Sequence, residues 1–152
     1  MKACRNQDNF KLARKAAPPQ DGAVRLEHCA LQVPDAPALA DWYVKHLGCS
    51  VARAGGAPAF ARFLAAGPVL IEIYQGSIAP TPDYPSRHPA QFHLAFVSEN
   101  LKADRDRLLA AGAKIVEDCF TTPAGDELLM LRDPWGIGLQ LVKRAKPMLT
   151  YS

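Results

Sequence analysis

The sequence predicts an α+β fold in which one βαβββ unit is written twice, and three observations carry that reading. A strand-like apolar run, a helical segment and three further strand-like runs occur in the same order in each half of the 152 residues. A histidine opens the first run of each half, His28 in EHCALQV and His93 in FHLAFV. The stretch 78–89 between the halves carries four prolines (Pro80, Pro82, Pro85 and Pro89), the composition of a linker.

The elements follow in order. Residues 1–23 contain basic side chains but no apolar core, and are expected to be a flexible N-terminal arm closed by Pro18, Pro19 and Gly22. A single domain is expected over 24–147, with the first module at about 24–76, the linker at 77–89 and the second module at about 90–147. Residues 148–152 are a tail. In the first module the run 25–33 leads to Asp35, a candidate N-cap, with Pro37 tolerated in the first turn. Leu39, Trp42, Tyr43 and Leu47 fall at helical spacing, and Gly48 stops the helix. Three strands are expected at 49–55, 59–65 and 69–75, separated by Gly and Pro. The second module repeats this with a strand over 90–97 and a helix through Leu101, Leu108 and Leu109 that ends at Gly112. Ser98 is the candidate cap of that helix, and strands at 114–120, 127–133 and 137–143 follow. Asp133-Pro134-Trp135-Gly136 has the residue preferences of a type I turn and makes the last two strands a hairpin.

Composition excludes several function classes. The chain is 49% hydrophobic and 22% charged, as soluble globular proteins are, and no apolar stretch reaches the roughly 20 residues a bilayer span needs. The net charge of +3 is concentrated at the two ends, with no basic face interleaved with aromatics, so no nucleic-acid or membrane partner is expected. Cys4, Cys29, Cys49 and Cys119 have no metal or disulfide spacing, which suits a reducing, cytoplasmic location. Cys29 and Cys119 lie in strand-like runs, where a free thiol behaves as a small hydrophobe.

Strand parity then isolates four polar residues. His28 shares its face with Ala30 and Gln32, and Glu72 with Leu70 and Tyr74. His93 shares its face with Gln91, Ala95 and Val97, and Gln140 with Gly138 and Val142. Each opposite face is wholly apolar and is expected to pack on a helix. A polar group centred in a strand is costly to bury unless something satisfies it, so four such residues invite one explanation. Two imidazoles, a carboxylate and an amide oxygen form a mixed N/O donor set suited to a divalent ion such as Fe, Ni, Co, Mn or Zn.

Other residues are expected to play lesser parts. His46 is a solvated helix residue and His88 belongs to the linker. Trp42 and Tyr43 pack helix against sheet, and residues 104–107 form a solvated helix face. Arg62 and Arg132 are expected either to meet an anionic substrate or, more commonly for such residues, to lie at an exposed sheet edge, while Tyr74, Phe60 and Phe63 line either a cavity or the core.

The duplicated layout, the histidine opening each module, IEIY at 71–74 and the closing RDPWGIGLQLV resemble the vicinal-oxygen-chelate superfamily, which includes glyoxalases, bleomycin resistance proteins and extradiol dioxygenases. The resemblance spans about 25–144. It implies a glyoxalase-like fold in which the two modules form a curved mixed sheet around a cleft. It also implies metal ligands from the first and fourth strands of each module, here His28, Glu72, His93 and Gln140. Gln140 departs from the family, whose last ligand is most often Glu, because an amide cannot accept a proton. Glu72 is therefore the candidate catalytic residue. The implied function is a divalent-metal-dependent lyase, isomerase or dioxygenase acting on a small oxygenated substrate, as a homodimer. The alternative is a non-catalytic small-molecule-binding protein of the bleomycin-resistance type.

Overall fold

In a computed structural model, which describes residues 14–15, 22 and 24–150, the duplicated pattern folds into two four-stranded mixed sheets. The elements are β1 (Arg14–Lys15), β2 (His28–Gln32), α1 (Ala36–Leu47), β3 (Ser50–Ala54), β4 (Arg62–Ala66) and β5 (Val69–Tyr74). After a 3-10 turn (Pro89–Gln91) come β6 (Leu94–Val97), α2 (Leu101–Ala110), β7 (Lys114–Thr121), β8 (Glu127–Arg132), β9 (Gly138–Lys143) and β10 (Leu149–Thr150). The first sheet has the order β2-β5-β4-β3 and the second β6-β9-β8-β7, so each module is a βαβββ unit. In each, the first strand lies parallel to the fourth and the other pairs are antiparallel. Short β1 and β10 pair in parallel with each other. The rest of the arm expected over 1–23, apart from Gly22, lies outside the described residues. Among the described residues no helix is long and apolar enough to cross a membrane.

Helix starts and stops have local causes. Asp35 accepts a hydrogen bond from the Ala38 N–H at 3.0 Å, and Gly48 ends α1 in the left-handed region at φ 70°. The cap of α2 is Asn100 rather than Ser98: the Asn100 side chain accepts from the Ala103 N–H at 3.1 Å. Ser98 lies two residues too early to reach those donors. Its hydroxyl accepts from the Asn100 N–H and donates to Asp104 at 2.6 Å.

Most residues of the apolar strand faces pack as parity requires, although Val69 and Phe92 are exposed. Leu31, Val33, Ile71 and Ile73 are buried under α1, and Leu129, Leu131, Leu139 and Leu141 join Leu101 and Leu108 of α2 in the same continuous core. Tyr43, fully buried, crosses from α1 to the second module and donates its hydroxyl hydrogen to Asp133 at 2.9 Å. The Trp42 indole donates to the Ala111 carbonyl at 2.9 Å, and Arg107 donates to the His46 carbonyl at 2.6 Å. These contacts join the two helical layers.

Arg132 is no edge residue: its guanidinium donates to the carbonyls of Tyr84, Arg87 and Gly136, clamping the linker to the second module. Arg62 likewise donates to the carbonyls of Gly55, Phe60 and Ala61. The linker passes so close to the 133–136 turn that a Cβ on Gly136 would stand 2.6 Å from Pro85, and Gly136 also has φ 87°. Cys119 is exposed on β7 rather than packed, whereas Cys29 does pack against the core. The helix face 104–107 is engaged as well as solvated, since Arg105 pairs with Asp118 of β7 at 3.0 Å.

Candidate metal centre

His28 opens β2, and the parallel register sets it beside Leu70 and sets Ala30 beside Glu72. Side chains in register across a sheet share a face, so His28 and Glu72 stand diagonally adjacent on the face turned away from α1. Their Nε2 and Oε2 atoms are 3.4 Å apart. Two donors on one ion at roughly 2.0–2.2 Å each fall at about this separation, so the pair fits half of a divalent-metal ligand set.

The other ring nitrogen of His28 explains its orientation. Nδ1 bonds the carboxylate of Glu27, which directs Nε2 toward Glu72. The Glu27 bond is also the main reason the His28 pKa is raised above 6.5; burial works against it, and the charges of Glu27 and Glu72 add to it. Phe63 meets the His28 ring edge to face at a centroid distance of 5.8 Å. Behind Phe63, the Arg53 guanidinium lies 4.9 Å from the ring centroid.

The second module repeats this arrangement, but its first strand starts one residue later. His93 does not lie within a strand; it precedes β6 by one residue, because the 3-10 turn begun by Pro89 delays the strand. Its Nδ1 donates to the Pro89 carbonyl at 3.0 Å, and a carbonyl can only accept, so Nδ1 carries the proton and Nε2 keeps the lone pair. A Cβ added at Gly138 would meet His93 Cβ at 3.1 Å, which sets His93 beside Gly138 and Gln140 two residues further along β9. His93 and Gln140 are thus diagonal neighbours, as His28 and Glu72 are. Both histidines are anchored through Nδ1, the arrangement typical of metal-binding imidazoles.

Among the described residues no three His, Cys, Asp or Glu side chains come together closely enough to hold one ion. One chain therefore unites His28 with Glu72 but does not bring His93 to them. A cavity of about 210 Å³ lies between the modules, bounded by Ala30, Tyr84, Arg87, Phe92 and Arg132, and the proposed ligands are not in its lining. Strand parity does not single out Glu27 or Arg53. Glu27 escapes it because alternation constrains only residues within a strand, and β2 begins at His28. Arg53 escapes it because β3 is interrupted by a bulge between Val51 and Arg53.

Residues 25–141 match the family model described as the Glyoxalase/Bleomycin resistance protein/Dioxygenase superfamily. No protein of curated function matches the sequence. Solved structures do. SMU.1112c is 26% identical with a TM-score of 0.64, over 79% of this chain and 98% of that one. A glyoxalase family protein from Enterococcus faecalis is 25% identical with a TM-score of 0.60, over 78% and 97%. A glyoxalase I mutant from Zea mays is 20% identical with a TM-score of 0.65, over 82% of this chain and 47% of that one, and shows likeness of fold alone.

Proposed function

The chain belongs to the glyoxalase/bleomycin resistance protein/dioxygenase superfamily, and from that premise we propose that it is a divalent-metal-dependent lyase, isomerase or dioxygenase acting on a small oxygenated substrate. The observation that carries the reading is the paired anchoring of His28 and His93 through Nδ1, with His28 Nε2 facing Glu72 at 3.4 Å. His28, Glu72, His93 and Gln140 would hold the ion. Its N/O donors suit Fe, Ni, Co, Mn or Zn. When bound, the ion supplies Lewis-acid polarisation of neighbouring substrate oxygens.

The chain's own residues do the rest. Glu72 is the one carboxylate of the set and lies half-buried beside His28, where it can take a proton from the substrate and return it. Gln140 can offer its carbonyl oxygen but cannot move a proton. Glu27 holds His28 in the tautomer that leaves Nε2 free. Because one chain holds the two half-sets apart, the complete site is assembled in a homodimer, with the first module of one copy facing the second module of the other.

Elemental analysis of the purified protein beside His28→Ala, Glu72→Ala and His93→Ala tests this. Near-stoichiometric divalent metal in the parent, lost in each variant, is the expected result. Absence of metal after reconstitution with Fe, Ni, Mn and Zn overturns it. Gln140 favours a second reading, a ligand-sequestering protein, since an amide in the last position deprives the set of a second charge. That reading predicts ligand binding indifferent to chelators.

A further inference from the structure

We propose that Arg53 is the anion-recognising residue on the face of the first sheet that carries His28, and that the ligand is a small organic anion whose carboxylate meets Arg53 while its neighbouring oxygens reach His28 and Glu72. The inference rests on the metal-centre reading for the second half of that statement only.

A regular β3 would not place Arg53 there. Val51 pairs with Leu64, so uninterrupted pairing would set Ala52 opposite Phe63 and Arg53 opposite Arg62. The bulge inserts Ala52 as an extra residue and brings Arg53 into register with Phe63, which in turn pairs with Glu72, itself in register with Ala30. Arg53, Phe63, Glu72 and Ala30 thus form one row across the sheet, on the face that carries His28. Bulges commonly re-aim a side chain beside a functional site. One benzene ring separates the guanidinium from the imidazole: Arg53 lies 4.9 Å from the Phe63 centroid, and Phe63 lies 5.8 Å from His28.

Among the described residues the guanidinium has no carboxylate partner. Every ion pair among the described residues involves other side chains, although five other basic residues are paired. Nor does it clamp backbone carbonyls as Arg62 and Arg132 do. It rests on the face of the Phe63 ring, and its planar fork suits a carboxylate. The second module contains the same bulge, between Ile115 and Glu117, and pairs Glu117 with Met130 and Met130 with Gln140. The position equivalent to Arg53 is therefore acidic. The two half-sites are opposite in charge at this point, which orients an anionic ligand with its charged end on the first module.

Calorimetric titration with salicylate and with its uncharged analogue salicylamide tests the inference, using the full chain and its Arg53→Met and Arg53→Lys variants, with zinc binding measured in parallel. Salicylate is expected to bind the parent more tightly than salicylamide. Arg53→Met should lose about tenfold in salicylate affinity with salicylamide unchanged, and Arg53→Lys should recover part of the loss. Equal binding of both probes by the parent, or salicylate affinity unaltered in Arg53→Met, overturns the inference even if zinc binds normally. A salicylate preference that depends on Arg53 in protein that takes up no zinc sustains the anion site and removes the metal centre instead. Failure of salicylate to bind the parent at millimolar concentration also overturns it.

Discussion

Glu27 and His28 are neighbours in sequence, and their side chains meet because the strand begins only at the histidine. Glu27 is two-thirds exposed, so its removal should leave the fold intact. Its effect is expected at the metal. Glu27→Gln keeps the hydrogen bond but loses the charge that raises the basicity of the imidazole, and should weaken metal binding by about 10- to 100-fold. Competition with a chromophoric chelator measures this. An unchanged metal affinity in Glu27→Gln would mean that Glu27 neither orients nor polarises His28.

At the scale of elements, the 133–136 turn does two jobs. It closes the β8–β9 hairpin through the Gly136 N–H to Asp133 carbonyl bond at 2.9 Å, and it receives Tyr43 from α1. The Asp133 carboxylate also accepts from the Trp135 and Ile137 N–H groups, each at 2.9 Å. Burial outweighs these donors and raises its pKa from 3.8 to about 6. The native state therefore holds this proton where the unfolded chain has released it. Below about pH 4 both states are protonated and the group imposes no penalty. As pH rises toward 6 the folded state loses relative stability, by about 3 kcal/mol for this group alone. Urea titrations between pH 4 and 7 on the parent and Asp133→Asn should show a difference that follows this slope; parallel curves would remove Asp133 as its source. Tyr43→Phe deletes one donor to a buried carboxylate and is expected to cost about 1–3 kcal/mol in the same assay.

For the whole molecule the proposed metal centre requires His93 and Gln140 to meet His28 and Glu72. The helical layers, the Arg132 clamp and the packed linker fix the modules relative to each other, so a hinge motion within the chain would have to break a buried core. A second copy requires no such cost. If each site in the dimer takes its first module from one chain and its second from the other, co-refolded His28→Ala and His93→Ala chains regain one intact site per mixed dimer. Metal uptake at about half the parent level, measured on purified heterodimer, is the expected outcome. No recovery in the heterodimer would show that both half-sets belong to the same chain.

Much of this was open to reading along the chain. Apolar alternation specifies the buried strand faces, because burial on one side of a pleat imposes a period of two. Asp35, Gly48 and the Asp133-Pro134-Trp135-Gly136 turn act through their own backbone, so their positions follow from local chemistry. His28 and Glu72 are found by the same parity, and the fold unites them. What sequence order does not encode is register. The 3-10 turn that moves His93 out of β6, the bulge that turns Arg53 toward Phe63 and the reach of Arg132 to the linker depend on which residue faces which across a sheet or a gap. Those pairings are set by packing between segments distant in sequence. The sequence by itself determined the duplicated fold and the four candidate ligands. Only the tertiary structure decided that His28 meets Glu72 without His93 beside them, because the spacing between modules is fixed by Tyr43, Asp133 and the linker rather than by either module's own pattern.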